Sequence, residues 1–251
     1  MTLTSPHPTP LSGYDRGTGR PLLLLHGGAG PRSVIPFADR LVEAGGTRVI
    51  VPTHPGFSGT ERPATMQTPA NLAERYLALL DELGLDDVTV VGFSMGGWVA
   101  SEIAVRADPR VSRIVVVDGI GITVDGHPVA DVSGLSQPEI AALSYHDPSL
   151  APNPATLTDE QRAEFISNIA AVVSYSGDPT VNSGLSARLG EVGVPALVIW
   201  GESDGIADAD YGRAYAAAYP HGRFELLKET GHMPQIEQPE ALAAAILAFA
   251  S

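Results

Sequence analysis

Cysteine is missing from all 251 residues, which excludes disulfides, thiolate metal sites and a cysteine nucleophile together. A chain without thiols fits a reducing cytoplasm, the expected location. Basic residues are scarce: 15 Lys and Arg stand against 29 Asp and Glu, a formal net charge of −14. Nucleic acids and anionic membranes both require basic patches, so neither is expected as a partner. Long hydrophobic runs are missing too. Residues 241–250 come nearest to transmembrane length, and they are too short and too alanine-rich to span a bilayer. Residues 1–10 contain no hydrophobic stretch of the signal-peptide kind. The seven histidines form no H-x-x-x-H or similar ligand cluster, so neither a metal nor a cofactor is expected. No repeat of fixed period occurs.

What is present is a full core's worth of apolar side chains, 44% of the chain. Short Val/Ile/Leu runs at 21–25, 48–51, 88–93, 113–117, 195–200 and 223–227 alternate with amphipathic stretches. Continuous apolar strands separated by helices mark a mostly parallel sheet covered by helices on both faces, so the expected fold class is α/β. One helix is legible in detail. Thr68 is its N-cap and Pro69 its first residue, the apolar stripe is Leu72, Tyr76, Leu79, Leu80 and Leu83, and Gly84 stops it. The last helix starts at Pro239 and buries Leu242, Ile246 and Phe249. Residues 122–190 break this rhythm. They are rich in Pro, Ser and Asp, lack a convincing strand, and carry helical patterns at 138–145 and at 158–175. The second pattern opens with a capping box formed by Thr158 and Gln161. Its stripe of Phe165, Ile169, Val172 and Val173 has to cover something. The expected organisation is therefore a core of residues 12–121 and 191–251, a helical lid of residues 122–190 inserted between core strands, and a flexible N-terminus of residues 1–11.

The most informative segment runs from Val88 to Gly97, an apolar strand leading through Gly92, Phe93, Ser94, Met95 and Gly96 into a helix. This G-x-S-x-G pattern is weak alone, because a chain with 27 glycines shows it by chance about one time in five. Its position between strand and helix makes it a nucleophile elbow, a sharp bend that presents a serine hydroxyl above the sheet edge.

A serine hydroxyl needs a histidine base, and an acid that holds the imidazole in one tautomer. Asp204, just past the strand ending at Trp200, is the candidate acid; Asp118, Asp208 and Asp210 are its rivals. His232, in the loop after the 223–227 strand, is the candidate base. Both lie beyond the C-terminal ends of strands, where open α/β sheets place their sites. The glycine-rich loop after the 21–25 strand contains His26, Gly27, Gly28, Ala29 and Gly30. Backbone N–H groups of Gly28, with Ala29 as alternative, and of Met95 are the candidate oxyanion hole. His26 and His54 read as structural anchors of their loops.

These pieces resemble the α/β-hydrolase-fold serine hydrolases from about Gly13 to the C-terminus. The matching residues are His26 to Gly28, Pro55 to Gly59, Gly92 to Gly97, Trp200 to Asp204 and Gly231 to Pro239. The resemblance implies a Ser94, Asp204 and His232 triad acting on a small-molecule substrate through an acyl-enzyme. A serine at the nucleophile position disfavours haloalkane dehalogenase and epoxide hydrolase chemistry. The meta-cleavage-product hydrolases, which cut carbon–carbon bonds, usually carry Asn and Trp where this chain has Phe93 and Met233. The antiparallel strand that normally precedes Pro21 is barely visible, so that edge is expected to be trimmed. The leading expectation is an esterase-type hydrolase for a small, largely apolar acyl group, from the lid stripe with Phe93, Trp98 and Met233. The alternatives are a carbon–carbon bond hydrolase, with a substrate-binding Arg162 or Arg188 facing in from the lid, and a non-catalytic receptor on the same fold.

Overall fold

Six apolar runs and one polar segment build a single sheet in the computed structural model, which describes residues 11–177 and 184–251. The strands are β1 (Gly13–Gly17), β2 (Arg20–Leu25), β3 (Thr47–Pro52), β4 (Val88–Phe93), β5 (Val111–Val117), β6 (Ala196–Gly201) and β7 (Gly222–Leu227). Their order across the sheet is β1-β3-β2-β4-β5-β6-β7. Every neighbouring pair is parallel except β1 with β3. The helices are α1 (Ile35–Glu43), α2 (Pro69–Glu82), α3 (Met95–Ala104), α4 (Gln137–Ser144), α5 (Asp159–Ser176), α6 (Leu185–Leu189), α7 (Ala209–Ala218), α8 (Pro234–Glu237) and α9 (Pro239–Ala250). The α/β-hydrolase fold is the result.

Strand period sorts the core into two layers. Leu23 and Leu25 of β2 face α2, α3 and α7, while Leu22 and Leu24 face α1 and α9. All four leucines are fully buried. Each contributes about 1.5–3 kcal/mol by leaving water, so the middle of the sheet is also its most stable part. Most of the expected stripes hold: Leu72, Tyr76, Leu79 and Leu80 of α2 are buried, as are Leu242 and Ile246 of α9, whereas Leu83 and Phe249, at the ends of their helices, are only partly buried. Thr68 and Asn71 form a capping box at the start of α2, and Thr158 with Gln161 forms another at the start of α5.

The N-terminal edge differs from expectation. β1 is present and pairs antiparallel with β3, from Gly13 opposite Pro52 to Gly17 opposite Arg48. Only Tyr14 of β1 is buried, and Arg48 holds Asp15 with two hydrogen bonds of 3.0 and 2.8 Å. An edge strand with one solvated face needs no apolar run, so it gave no hydrophobic signal. Of the expected flexible stretch 1–11, only Leu11 is described, and it is buried in the core. The others lie outside the described residues.

Between β5 and β6 the described residues form no strand. They contain α4, α5 and α6 with two short 3-10 turns. Phe165, Ile169 and Val172 of α5 face inward onto a cavity, but Val173 is 39% exposed, one position out of phase with the stripe. Residues 178–183 of the segment lie outside the described residues. The short α6 packs into the core through Leu185 and Leu189, and Arg188 grips the buried Glu102 of α3 at 2.6 and 2.9 Å. Among the described residues no helix is long and apolar enough to cross a membrane.

Candidate active site

Every candidate residue stands at the carboxyl edge of the sheet. Ser94 follows β4 directly, with φ 52° and ψ −118°. A non-glycine residue in that region is strained, and here two close backbone approaches hold it. A Cβ on Gly92 would lie 2.1 Å from Gly96 O, and one on Gly96 would lie 2.1 Å from Leu25 O. The bend is therefore possible only with glycine on both sides of the serine. The Ser94 hydroxyl makes no capping bond to α3 and stands in a cavity wall. Met95, next to it, is the first residue of α3, a position whose N–H has no intrahelical acceptor.

Asp204 follows β6, and His232 follows β7. Asp204 is 5% exposed and His232 8%. The His232 Nδ1–H donates to Asp204 Oδ2 at 2.7 Å, which directs the other ring nitrogen toward the cavity that Ser94 also lines. Asp204 Oδ1 accepts the backbone N–H groups of Ile206 at 2.7 Å and Ala207 at 3.2 Å. The loop that carries His232 is clamped at both ends. His232 N–H donates to Ser144 O at 2.8 Å, and Glu237 accepts from Gly231 N at 2.6 Å and Asp147 N at 2.9 Å.

The rival acids have other partners. Asp208 caps α7 through Tyr211 N at 2.9 Å, and Asp210 is exposed beside Arg213. Asp118 is 1% exposed and sits behind Asp204, its Oδ1 accepting Gly201 N–H at 2.8 Å. Burial first, then the neighbouring Asp204 and Glu237, pushes its carboxyl well above the usual carboxylate range. Asp118, Asp204 and His232 offer donor atoms within 4.8 Å of one another, and among the described residues no other such group could hold a metal. A metal there would compete with the hydrogen bond between His232 and Asp204.

The glycine-rich loop after β2 turns tightly, with Gly30 N–H bonded to Gly27 O at 3.1 Å and Gly28 and Ala29 at the apex. Gly27 packs against Ser94, where a Cβ would come within 2.8 Å of the serine Cβ. Gly28 and Ala29 line the cavity. Beneath the loop lie His26 and His54, both fully buried, with ring centroids 3.8 Å apart. His26 Nδ1–H donates to Gly27 O at 2.8 Å, and its Nε2 accepts His54 N–H at 3.0 Å. His54 Nε2–H donates to His26 O at 2.8 Å, and its Nδ1 accepts the Tyr76 hydroxyl. Every ring nitrogen is used by a neutral imidazole, so both histidines support the loop, as expected.

The cavity is lined by Phe93, Ile120, Val129, Ile140, Phe165 and Val172, with Ser94 and His232 in its wall. Met233 lines it as well, but Trp98 does not. None of its lining residues is Arg, Lys, Asp or Glu. Ser176 Oγ and Gln235 Oε1 are buried lining atoms without a hydrogen-bond partner. An outer lobe, continuous with the first through Ala29, Ser33 and Phe165, reaches Arg32 and Glu164, which pair at 3.5 Å. Arg162 caps the backbone carbonyls of Pro154 and Leu157, and Arg188 holds Glu102, so neither faces the cavity.

Two contributors carried no sequence signal. Asn168 and Glu164 of α5 take the Ser58 N–H at 2.9 Å and the Ser58 hydroxyl at 2.7 Å, which ties α5 to the loop after β3. Polar residues on an amphipathic helix ordinarily face solvent, so their inward contacts were not legible. Glu237 had a faint signal, an acid in the first turn of a helix just past the histidine.

Comparison with known proteins agrees with this fold. The chain matches the alpha/beta hydrolase family over residues 22–245. It is 26% identical to the 2-hydroxy-6-oxononadienedioate/2-hydroxy-6-oxononatrienedioate hydrolase of Cupriavidus pinatubonensis, an alignment covering 94% of this chain and 88% of that one. It is 28% identical to the 2-hydroxymuconate semialdehyde hydrolase of Pseudomonas putida, over 94% and 89% of the two chains. Among solved structures, an esterase from Exiguobacterium antarcticum superposes with a TM-score of 0.80 at 20% identity, over 100% of this chain and 98% of that one. With the fold, the elbow and the match across most of its length in agreement, the chain belongs to the alpha/beta hydrolase family and is a hydrolase.

Proposed function

We propose that the chain is a serine hydrolase that cleaves a small, neutral, largely apolar ester by way of an acyl-enzyme. The observation that carries this reading is the Ser94 hydroxyl on its strained elbow, in the wall of an apolar cavity shared with an Asp204-bonded His232. Ser94 Oγ attacks the carbonyl carbon while the free ring nitrogen of His232 takes the hydroxyl proton. Asp204 holds the ring in the required tautomer and faces the imidazolium as it forms. The N–H groups of Gly28 and Met95 receive the developing oxyanion; losing one such donor typically costs about 3–4 kcal/mol of transition-state stabilisation. Collapse returns the proton from His232 to the departing alcohol. Water then attacks the acyl-enzyme by the same route and regenerates Ser94. The segment with α4 and α5 acts as the lid, its stripe packing over the acyl group. A polar substituent on the substrate would meet Gln235 and Ser176.

Charge supports an ester over the alternative. The relatives are named as hydrolases of a dienedioate and of a muconate semialdehyde, substrates of the meta-cleavage type that carry two carboxylates and one, respectively. Such a substrate needs cations, yet no Lys or Arg lines the inner cavity, and Arg32 in the outer lobe is already paired with Glu164. The relatives' names nevertheless keep carbon–carbon hydrolysis as the second reading.

Intact-mass labelling with a fluorophosphonate, on wild type beside Ser94→Ala, tests the first step. One adduct on the elbow peptide of wild type and none on the variant is the expected result. Absence of an adduct on folded wild type sinks the proposal. If p-nitrophenyl acetate and butyrate are turned over more slowly than a dienedioate ring-cleavage substrate, the carbon–carbon reading replaces the ester one.

A further inference from the structure

Asp118 is a buried titratable group that the mechanism above does not use. It follows β5 with φ 44°, and its side chain points into the space between the ends of β5 and β6. One oxygen, Oδ1, is accounted for by Gly201 N–H at 2.8 Å. The other, Oδ2, is buried with no donor to satisfy it. The groups that face it are Asp204 from the loop after β6, His232 from the loop after β7, and Glu237 from α8. The charges that act on it most strongly, Asp204 and Glu237, are both acidic.

A bare carboxylate cannot persist in that position. Two carboxyl groups in contact away from water cannot both be charged, and one keeps a proton. Three donors converge on Asp204: the N–H groups of Ile206 and Ala207, and His232 Nδ1–H. Asp118 has one donor and an orphaned oxygen, so the proton belongs on Asp118, where it converts that unsatisfied acceptor into a donor. Its burial and its acidic neighbours act in the same direction.

We propose that Asp118 is a positioning residue whose protonated Oδ2 donates a hydrogen bond to Asp204, bracing that carboxylate against His232 Nδ1. The inference rests on the proposed roles of Asp204 and His232. Asp118 never touches substrate and keeps its proton throughout turnover. Gly201 N–H fixes one oxygen of Asp118, the donated bond fixes Asp204, and Asp204 in turn fixes the imidazole. The two acids together carry a single negative charge, so His232 faces one countercharge and not two.

Asparagine mimics the protonated acid, with a carbonyl for Gly201 N–H and an N–H for Asp204, and it cannot ionise. Asp118→Asn is therefore expected to retain the wild-type kcat and the wild-type acidic limb of the pH profile of kcat/KM. Asp118→Ala removes the brace. It is expected to lower kcat about 10- to 100-fold, the equivalent of one lost hydrogen bond to a charged group, with little change in KM. If Asp118 is ionised in the wild type, the Asn variant removes a negative charge beside the imidazole. Its acidic limb then moves down by about a pH unit or more, which overturns the proposal.

An activity-independent measurement separates this inference from the ester-hydrolase reading. Infrared difference spectra of wild type against Asp118→Asn at neutral pH, with 13C-labelled aspartate, are expected to show the carbonyl stretch of one protonated carboxyl in wild type only. That band can be read whether or not a fluorophosphonate labels Ser94 or an ester is turned over. Its absence overturns the proposal regardless of how the alanine variant folds.

Discussion

Acidification from about pH 7.5 toward about pH 4.5 destabilises the support under the glycine-rich loop before most carboxylates begin to titrate. His26 and His54 are fully buried, and their four ring nitrogens are committed to two carbonyls, one N–H and one hydroxyl. A proton on His26 Nε2 would put its N–H against His54 N–H, and one on His54 Nδ1 would oppose the Tyr76 hydroxyl proton. Burial lowers the His26 pKa from 6.5 to about 4 and pushes His54 well below its usual range. The folded state thus binds fewer protons than the unfolded chain between those values. Stability is full above about pH 6.5 and is lost as the pH falls toward about 4. At about 1.4 kcal/mol per unit, the His26 shift amounts to about 3 kcal/mol, and His54 adds in the same direction. For a chain of this size that corresponds to a Tm lower by roughly 6–12 °C. Scanning calorimetry of wild type and His26→Asn at half-unit steps is the assay. The variant, having lost one titrating group, is expected to show a shallower dependence by up to about 1.4 kcal/mol per unit between pH 6.5 and 5. Equal slopes in the two proteins, or a wild type whose stability is flat across that window, would refute the reasoning.

Two further outcomes follow from the elbow and the cavity. Gly92→Ala puts a Cβ 2.1 Å from Gly96 O, a backbone atom that cannot move without opening the bend. A loss of about 3 kcal/mol or more in urea unfolding is expected, with loss of fluorophosphonate labelling. A variant that stays within about 0.5 kcal/mol of wild type and is still labelled would contradict the close approach. Val172 lies over Gly28, its Cγ2 2.9 Å from where a Cβ on that glycine would sit. Val172→Trp is expected to cut kcat/KM for a butyrate ester about tenfold more than for an acetate. An equal effect on both would mean that the acyl group does not pack there.

The parts of the fold that were legible are those with a one-dimensional signature. Buried parallel strands are continuous apolar runs, and the five runs from β2 to β6 are strands here as read; their order, β3-β2-β4-β5-β6, comes from the fold. Thr68 and Thr158 announce helix starts through local hydrogen bonds that need no tertiary partner. β1 was missed because an antiparallel edge strand with polar Asp15 and Arg16 buries only Tyr14. Val173 was misplaced because two adjacent apolar residues on a helix cannot both face the same cavity, and packing over Gly28 chose Val172.

The elbow shows what the sequence by itself determined. Gly92 before Ser94 and Gly96 after it, between an apolar strand and a helix, permit the bend: the Gly92 approach to Gly96 O is local and legible in the sequence, whereas the Gly96 approach to Leu25 O comes from β2 lying beside β4. The acids show what only the tertiary structure decided. Asp118 and Asp204 each follow an apolar strand and each precede glycine, so in sequence they are alternatives. Placing β5 beside β6, with β7 beyond, delivers Asp204 to His232 and buries Asp118 behind it. The absence of Arg188 from the inner cavity was likewise set by long-range pairing, since it finds Glu102 across the fold. Electrostatics between groups far apart in the chain depends on distance in space, and only the folded chain sets that distance.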